Sequence, residues 1–306
     1  MSVLAVVLDA ANLEEMEGWA GYIASALGEP LDFVQVVEGG PDELRFEDVG
    51  EVGRRAQVAI DRAADRVGEH LAASKPQMLV LDRRGGRRGT RANLARQWFE
   101  RARCDTLCIR FPEDGGSGGG KIFVPTSGGP NSRGALKFAL SLAKSAPDGL
   151  LTPLLVEADV DDVSKEVGRA RLDGILMRSG IDLNSEKVAP RAVVGSRPAA
   201  AIHRAAEDGD FDLIVLGASG FSGLHRILFG TLPDRLLGSG PRVGVGVFRR
   251  ALPLDRRLRN AVERWLHLRV PQLDRGARVA LFENLETNAR WSFDFMTLIC
   301  LSTAIA

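Results

Sequence analysis

The feature that most constrains this chain is an alternation of short apolar runs with stretches of helical period, sustained from Val3 to Phe248. It is clearest after residue 120. KIFVPT is a β-branched and aromatic run, and NSRGALKFALSLAKSA follows it, with Asn131 or Ser132 as N-cap and apolar residues at Ala135, Leu136, Ala139, Leu140 and Ala143. LLTPLLVEA reads as the next strand, and DVDDVSKEVGRARLDGILMRSG as a helix whose acids Asp159, Asp161 and Asp162 complement its amino end. KVAPRAVVG is a third strand, followed by a helix that Ser196 caps and Pro198 opens. DLIVLG and RVGVGVF complete the set, with the glycine-rich GASGFSGLHRILFGT and a helix, LPDRLLG, between them. Strands separated in this way by helices pair in parallel and are covered on both faces.

The first 111 residues repeat the rhythm. VLAVVLDA, a helix to Leu27, PLDFVQVVE, a helix from Glu47 to Ala73, QMLVLD, a helix from Thr90 to Arg103, and DTLCIRF line up with the second half when LVLD at 79–82 is set against LIVLG at 213–217. The expected fold class is therefore α/β, with two tandem five-stranded parallel-sheet, Rossmann-like domains packed as an intramolecular pseudo-dimer. The first, over 1–111, is degenerate, and the second spans 122–250. The run PEDGGSGGGK at 112–121 is the linker. It imitates a Walker A motif through Gly115, Gly120 and Lys121, but Ile122 stands where a Ser or Thr must hold magnesium, and a strand follows where a P-loop opens a helix.

Composition removes several function classes. Lys plus Arg and Asp plus Glu both number 40, so no global field draws nucleic acid. Cys104, Cys108 and Cys300 cannot form a disulfide framework and read as small apolar side chains in a reducing compartment. His70, His203, His225 and His267 have no ligand spacing, which leaves no metal site to nominate. Ser219 and Ser222 lack the spacing of a nucleophile elbow. No catalytic residue is assigned.

The stretch from Gly217 to Thr231 is different, because it falls at the carboxyl end of an apolar strand, where parallel sheets bind ligands. Its glycines would let backbone approach phosphate, and Thr231 precedes a helix whose amino end favours an anion. A ligand-free account is also available: Thr231 is a sound N-cap, with Asp234 three residues on in the manner of a capping box. Capping explains Thr231 but not three spaced glycines.

G-x-x-G-x9-G-[S/T] after an apolar strand, carried here by Gly217, Gly220, Gly230 and Thr231, resembles the signature of nucleotide-binding universal stress proteins. IFVPTSGG is similar to that family's first strand and turn, AVVGSRPAAAI to its third strand and next helix, and RVGVGVF to its last strand. The resemblance implies a fold of the adenine-nucleotide α-hydrolase type, dimeric packing, and binding of ATP or another adenine nucleotide, with or without Mg2+. It assigns the phosphates to Gly217, Gly220, Gly230 and Thr231, and the nucleoside to Thr126, Ser127 and Val156. Ser127 stands where family members that bind ATP usually carry an acid. The first copy keeps an acid at Asp9 but has RRGGRRGTR in place of the phosphate loop.

The C-terminal part raises a separate expectation. FMTLICLSTAIA, from Phe295 to Ala306, is uncharged, and residues 249–290 hold ten arginines against five acids, the bias of a segment on the cytoplasmic side of a bilayer. ENLETNARWSFDFMTLICLSTAIA resembles the entry into a bacterial multi-span membrane domain of unknown function. The sequence thus predicts Arg-rich juxtamembrane helices over 251–290 and the start of a transmembrane helix over 291–306. The whole reads as the cytoplasmic, nucleotide-binding sensor of a membrane protein at the inner face of the cell membrane. A ligand-free dimerisation scaffold and a slow ATPase or phosphotransferase are the alternatives, and homo-oligomerisation is left open.

Overall fold

The computed structural model describes residues 1–50, 53–82, 89–111, 119–157, 163–195, 198–218 and 243–251. Residues Met1–Ala251 form one compact unit. Its first half runs β1 (Val3–Val7), a 3-10 turn (Ala10–Asn12), α1 (Leu13–Leu27), β2 (Leu31–Val37), β3 (Glu47–Asp48), β4 (Arg54–Ala59), α2 (Ala63–Ser74), β5 (Met78–Asp82), α3 (Thr90–Arg101) and β6 (Asp105–Arg110). Its second half runs β7 (Lys121–Pro125), α4 (Pro130–Ser145), β8 (Leu150–Glu157), α5 (Val163–Arg178), β9 (Arg191–Val194), α6 (Pro198–Glu207), β10 (Leu213–Gly217) and β11 (Gly244–Arg249).

All eleven strands belong to one sheet, in the order β3-β4-β2-β1-β5-β6-β11-β10-β7-β8-β9. This corrects the expectation of two tandem sheets. Within each half five strands run parallel, with the first strand at the centre and the chain winding to either side of it. The halves meet where β6 pairs antiparallel with β11, Cys108 opposite Val247 and Leu107 opposite Phe248. Each of these last strands would otherwise present an unpaired row of amides and carbonyls, and joining them removes both edges.

The burial pattern follows from that continuity. On one face a single apolar layer crosses the join: Val3, Ala5, Trp19 and Ile23 of the first half pack in the same cluster as Ile122, Leu136, Phe138, Leu213 and Phe248 of the second. The opposite face is covered by two clusters, one around Leu79, Trp98 and Phe99 that reaches Val247 and Ala218 across the join, the other around Phe123, Ile202 and Ile214 in the second half. Tyr22 of α1 donates its hydroxyl to the Leu142 carbonyl of α4, tying the helices of the two halves together.

Two local expectations are corrected. The helix predicted from Glu47 to Ala73 divides into β3, β4 and α2, because Arg54–Ala59 alternates exposed and buried positions as a strand does, with Ala56 and Val58 inward. Asp32, almost fully buried, explains Arg54, whose Nε and one terminal nitrogen donate to its two oxygens, each at 2.8 Å, while Arg55 pairs with Glu17. Neither Asn131 nor Ser132 caps α4, which starts at Pro130 behind Gly129; both side chains are used elsewhere.

The membrane part is also corrected. Among the described residues no helix is long and apolar enough to cross a membrane. The expected juxtamembrane helices from 252 on and the segment 291–306 lie outside the described residues. Arg249, counted in the sequence toward a membrane-flanking cluster, is a fold residue: it donates to the carbonyls of Ala102 and Cys104 and lies over the Phe99 ring at 5.7 Å.

Candidate functional site

In the second half the direction of winding reverses between β7 and β10, so their carboxyl ends open a crevice. The β7 side is built by Thr126, Ser127, Gly128 and Gly129, which lead into α4. Thr126 continues the strand, its amide donating to the Leu154 carbonyl at 2.8 Å. Its side chain is buried, sharing a 2.6 Å hydrogen bond with the Ser132 hydroxyl and accepting the Gly128 amide at 3.3 Å. Gly128 adopts a φ of 86°, a conformation that L residues resist. This folds the turn back so that Ser127 is exposed beside Thr126. Val156 is half-buried on the neighbouring strand, opposite Val193, two residues beyond Leu154, with which β7 ends its pairing.

The β10 side ends in Gly217 and Ala218. A Cβ on Gly217 would lie 2.7 Å from both the amide nitrogen and the Cα of Ser132 and 2.9 Å from the Asn131 carbonyl carbon. Only glycine lets the strand end meet the first turn of α4 this closely. Ala218 donates to the Phe248 carbonyl at 2.7 Å and accepts from Asn131 Nδ2, while Asn131 Oδ1 accepts the Arg250 amide at 2.8 Å. The root of the glycine-rich stretch is thus fixed between β11 and α4. Gly220, Gly230 and Thr231 lie outside the described residues. The structure therefore brings together Gly217, Thr126 and Ser127 around the crevice mouth and gives two of them packing duties. Lys121, the lysine of the Walker-like run, opens β7 at the opposite end of the sheet and pairs with Asp210 at 2.5 Å.

The first half has the same crevice between β1 and β5, filled. Asp82 ends β5 as Gly217 ends β10, each the last of five strand residues. Its carboxylate is 1 % exposed and accepts the Leu8 amide at 2.6 Å, the Asp9 amide at 3.1 Å and Asn12 Nδ2 at 2.9 Å. Burial raises the carboxyl from 3.8 to about 6, against the lowering effect of these three donors. A carboxyl held above its unfolded value makes the folded state bind its proton more tightly. Stability from this group is therefore full below about pH 4 and is lost as pH rises through 6, by on the order of 2–3 kcal/mol. Urea unfolding of wild type and Asp82→Asn at pH 4 and pH 7 checks this: the wild type should lose ground to the variant by that amount, and an unchanged gap refutes it.

Asn12 and Asp82 were not singled out from the sequence, and Asn131 only as a helix cap, which it does not make. A signal for them exists: Asn12 lies nine residues beyond Val3, which pairs with the first residue of β5, and Asn131 nine beyond Ile122, which pairs with the first residue of β10. Aligning the halves on their central strands, as well as on LVLD and LIVLG, brings the two asparagines into register. Among the described residues no three His, Cys, Asp or Glu side chains gather to hold a metal ion.

Comparison with known proteins agrees with this geometry. Residues 120–241 match the family model described as the universal stress protein family, one domain where two tandem copies and a following membrane domain were expected. A universal stress protein of Methanocaldococcus jannaschii is 27 % identical over 133 residues, 38 % of this chain and 75 % of that protein. The crystal structure of a universal stress protein from Archaeoglobus fulgidus superposes with a TM-score of 0.51 at 15 % identity, covering 80 % of this chain and 96 % of that one, which shows a shared fold across both halves. A universal stress protein solved in complex with cAMP aligns over 42 % of this chain and 94 % of its own, at 22 % identity and a TM-score of 0.33.

Proposed function

We propose, from the universal stress protein family match of residues 120–241, that the second half is a regulatory module that binds an adenine nucleotide between the carboxyl ends of β7 and β10. The observation that carries this reading is the contrast between the two switch points: Asp82 fills one with a buried carboxylate, while Gly217 leaves the other without a side chain. Phosphates would lie over Gly217, Gly220, Gly230 and Thr231, and the nucleoside over Ser127 and the end of β8 at Val156, with Thr126 holding the turn. The proposed activity is binding without turnover. The reading places the module in the cytoplasm, because three cysteines in the whole sequence are too few for a disulfide framework.

Ser127 sets the expected affinity, since a hydroxyl can bond a ribose but brings no charge. Titration calorimetry of the full chain with ATP, ADP and AMP, with and without Mg2+, should give one equivalent bound per chain. Ser127→Asp, at an exposed position, should tighten binding by about tenfold, as expected of a charge-assisted hydrogen bond replacing a neutral one. One observation favours a ligand-free scaffold instead: Gly217 and Thr126 are both accounted for by packing. No heat from wild type and Ser127→Asp at millimolar nucleotide establishes that reading over ours, and ATP turnover above background would establish the enzymatic one.

A further inference from the structure

The Leu8–Asn12 turn of the first half points two consecutive backbone amides and a side-chain amide at the two oxygens of Asp82. Converging amides of this kind are how polypeptides hold free anions, and no helix of useful length is needed for it. We propose that this turn is an anion-binding nest and that Asp82 is its built-in ligand, a carboxylate carried on β5 that closes the first crevice against external small carboxylates.

Several observations support this. The carboxylate is buried well beyond what a capping or surface acid requires, and the donors come from the turn that follows β1, 70 to 74 residues away in sequence. Among the described residues, Asp9 has the same sign as Asp82 and raises its proton affinity, while the three amide donors lower it. In the second half the corresponding asparagine, Asn131, turns its Nδ2 to a backbone carbonyl, because Gly217 offers no carboxylate. One asparagine position serves both halves, and the residue ending the fourth parallel strand decides whether the crevice is filled. The inference does not depend on nucleotide binding by the second half.

Asp82→Gly supplies the test, because it removes a CH2–COO− group that acetate replaces almost atom for atom. Melting of the full-length variant is compared in sodium acetate and in sodium chloride at equal ionic strength, beside wild type and Asp82→Asn, whose side chain still fills the space. The variant should melt below wild type in chloride and gain about 3 °C in acetate at ten times its Kd. Wild type and Asp82→Asn should show no acetate-specific gain. If Asp82→Gly does not fold in chloride, recovery of folded protein on refolding in acetate is the equivalent positive result. Equal melting of Asp82→Gly in both salts, a gain of the same size in all three proteins, or no recovery in acetate overturns the proposal.

Discussion

Gly217→Val is expected to destabilise the chain by about 3 kcal/mol or more, beyond the usual cost of over-packing a core. The new Cβ alone would sit 2.7 Å from the Ser132 nitrogen and Cα, atoms of a helix backbone that cannot swing aside as a side-chain tip would. Moving α4 away would break the bond between the Thr126 and Ser132 hydroxyls and draw Asn131 off the Ala218 carbonyl and the Arg250 amide. For a unit of this size the loss corresponds to a fall in melting temperature of about 6–12 °C, readable by calorimetry. An unchanged melting temperature would show that the close approach is not maintained in solution. The consequence for function is direct. Lost nucleotide binding in Gly217→Val would report a deformed crevice as much as a lost phosphate contact, so exposed Ser127 is the better probe of the ligand.

What could be read in advance depended on whether a residue's role was local. The parallel α/β class, the placement of β1, β2 and β5 to β11, and the position of the glycine stretch at a strand's carboxyl end all follow from apolar runs and helical periods, which are properties of neighbouring residues. The single sheet does not follow from them. DTLCIR and GVGVFR look the same whether they are edge strands of two sheets or partners in one, because pairing is decided by main-chain groups that every residue carries. Arg249 misled for a related reason. Arginine beside apolar sequence is the pattern of a membrane flank, yet Arg249 is spent on two carbonyls and an aromatic face inside the fold. At the candidate site, Gly217, Thr126 and Ser127 were nominated from the sequence, but their structural duties were not. Thr126 serves the turn and Gly217 the helix contact, and both duties depend on Ser132, assigned in sequence to a cap it does not make.

Phe248→Ala should produce a loss as large, about 3–5 kcal/mol, because it removes a fully buried ring at the join of the two halves. Phe248 stacks on Phe138 of α4 at 5.5 Å, pairs in register with Leu107 of β6 and with Gly217 of β10, and holds Ala218 through its carbonyl. It belongs to an apolar layer that crosses from the first half to the second. A cavity there weakens both halves at once. The expected calorimetric result is therefore a single transition lowered by about 10 °C, with no earlier melting of one half. Two separated transitions in the variant would mean that the β6–β11 pairing joins two independently stable sheets. A single one means that the sheet is the folding unit, so that strain at the crevice between β7 and β10 is felt as far as Asp82.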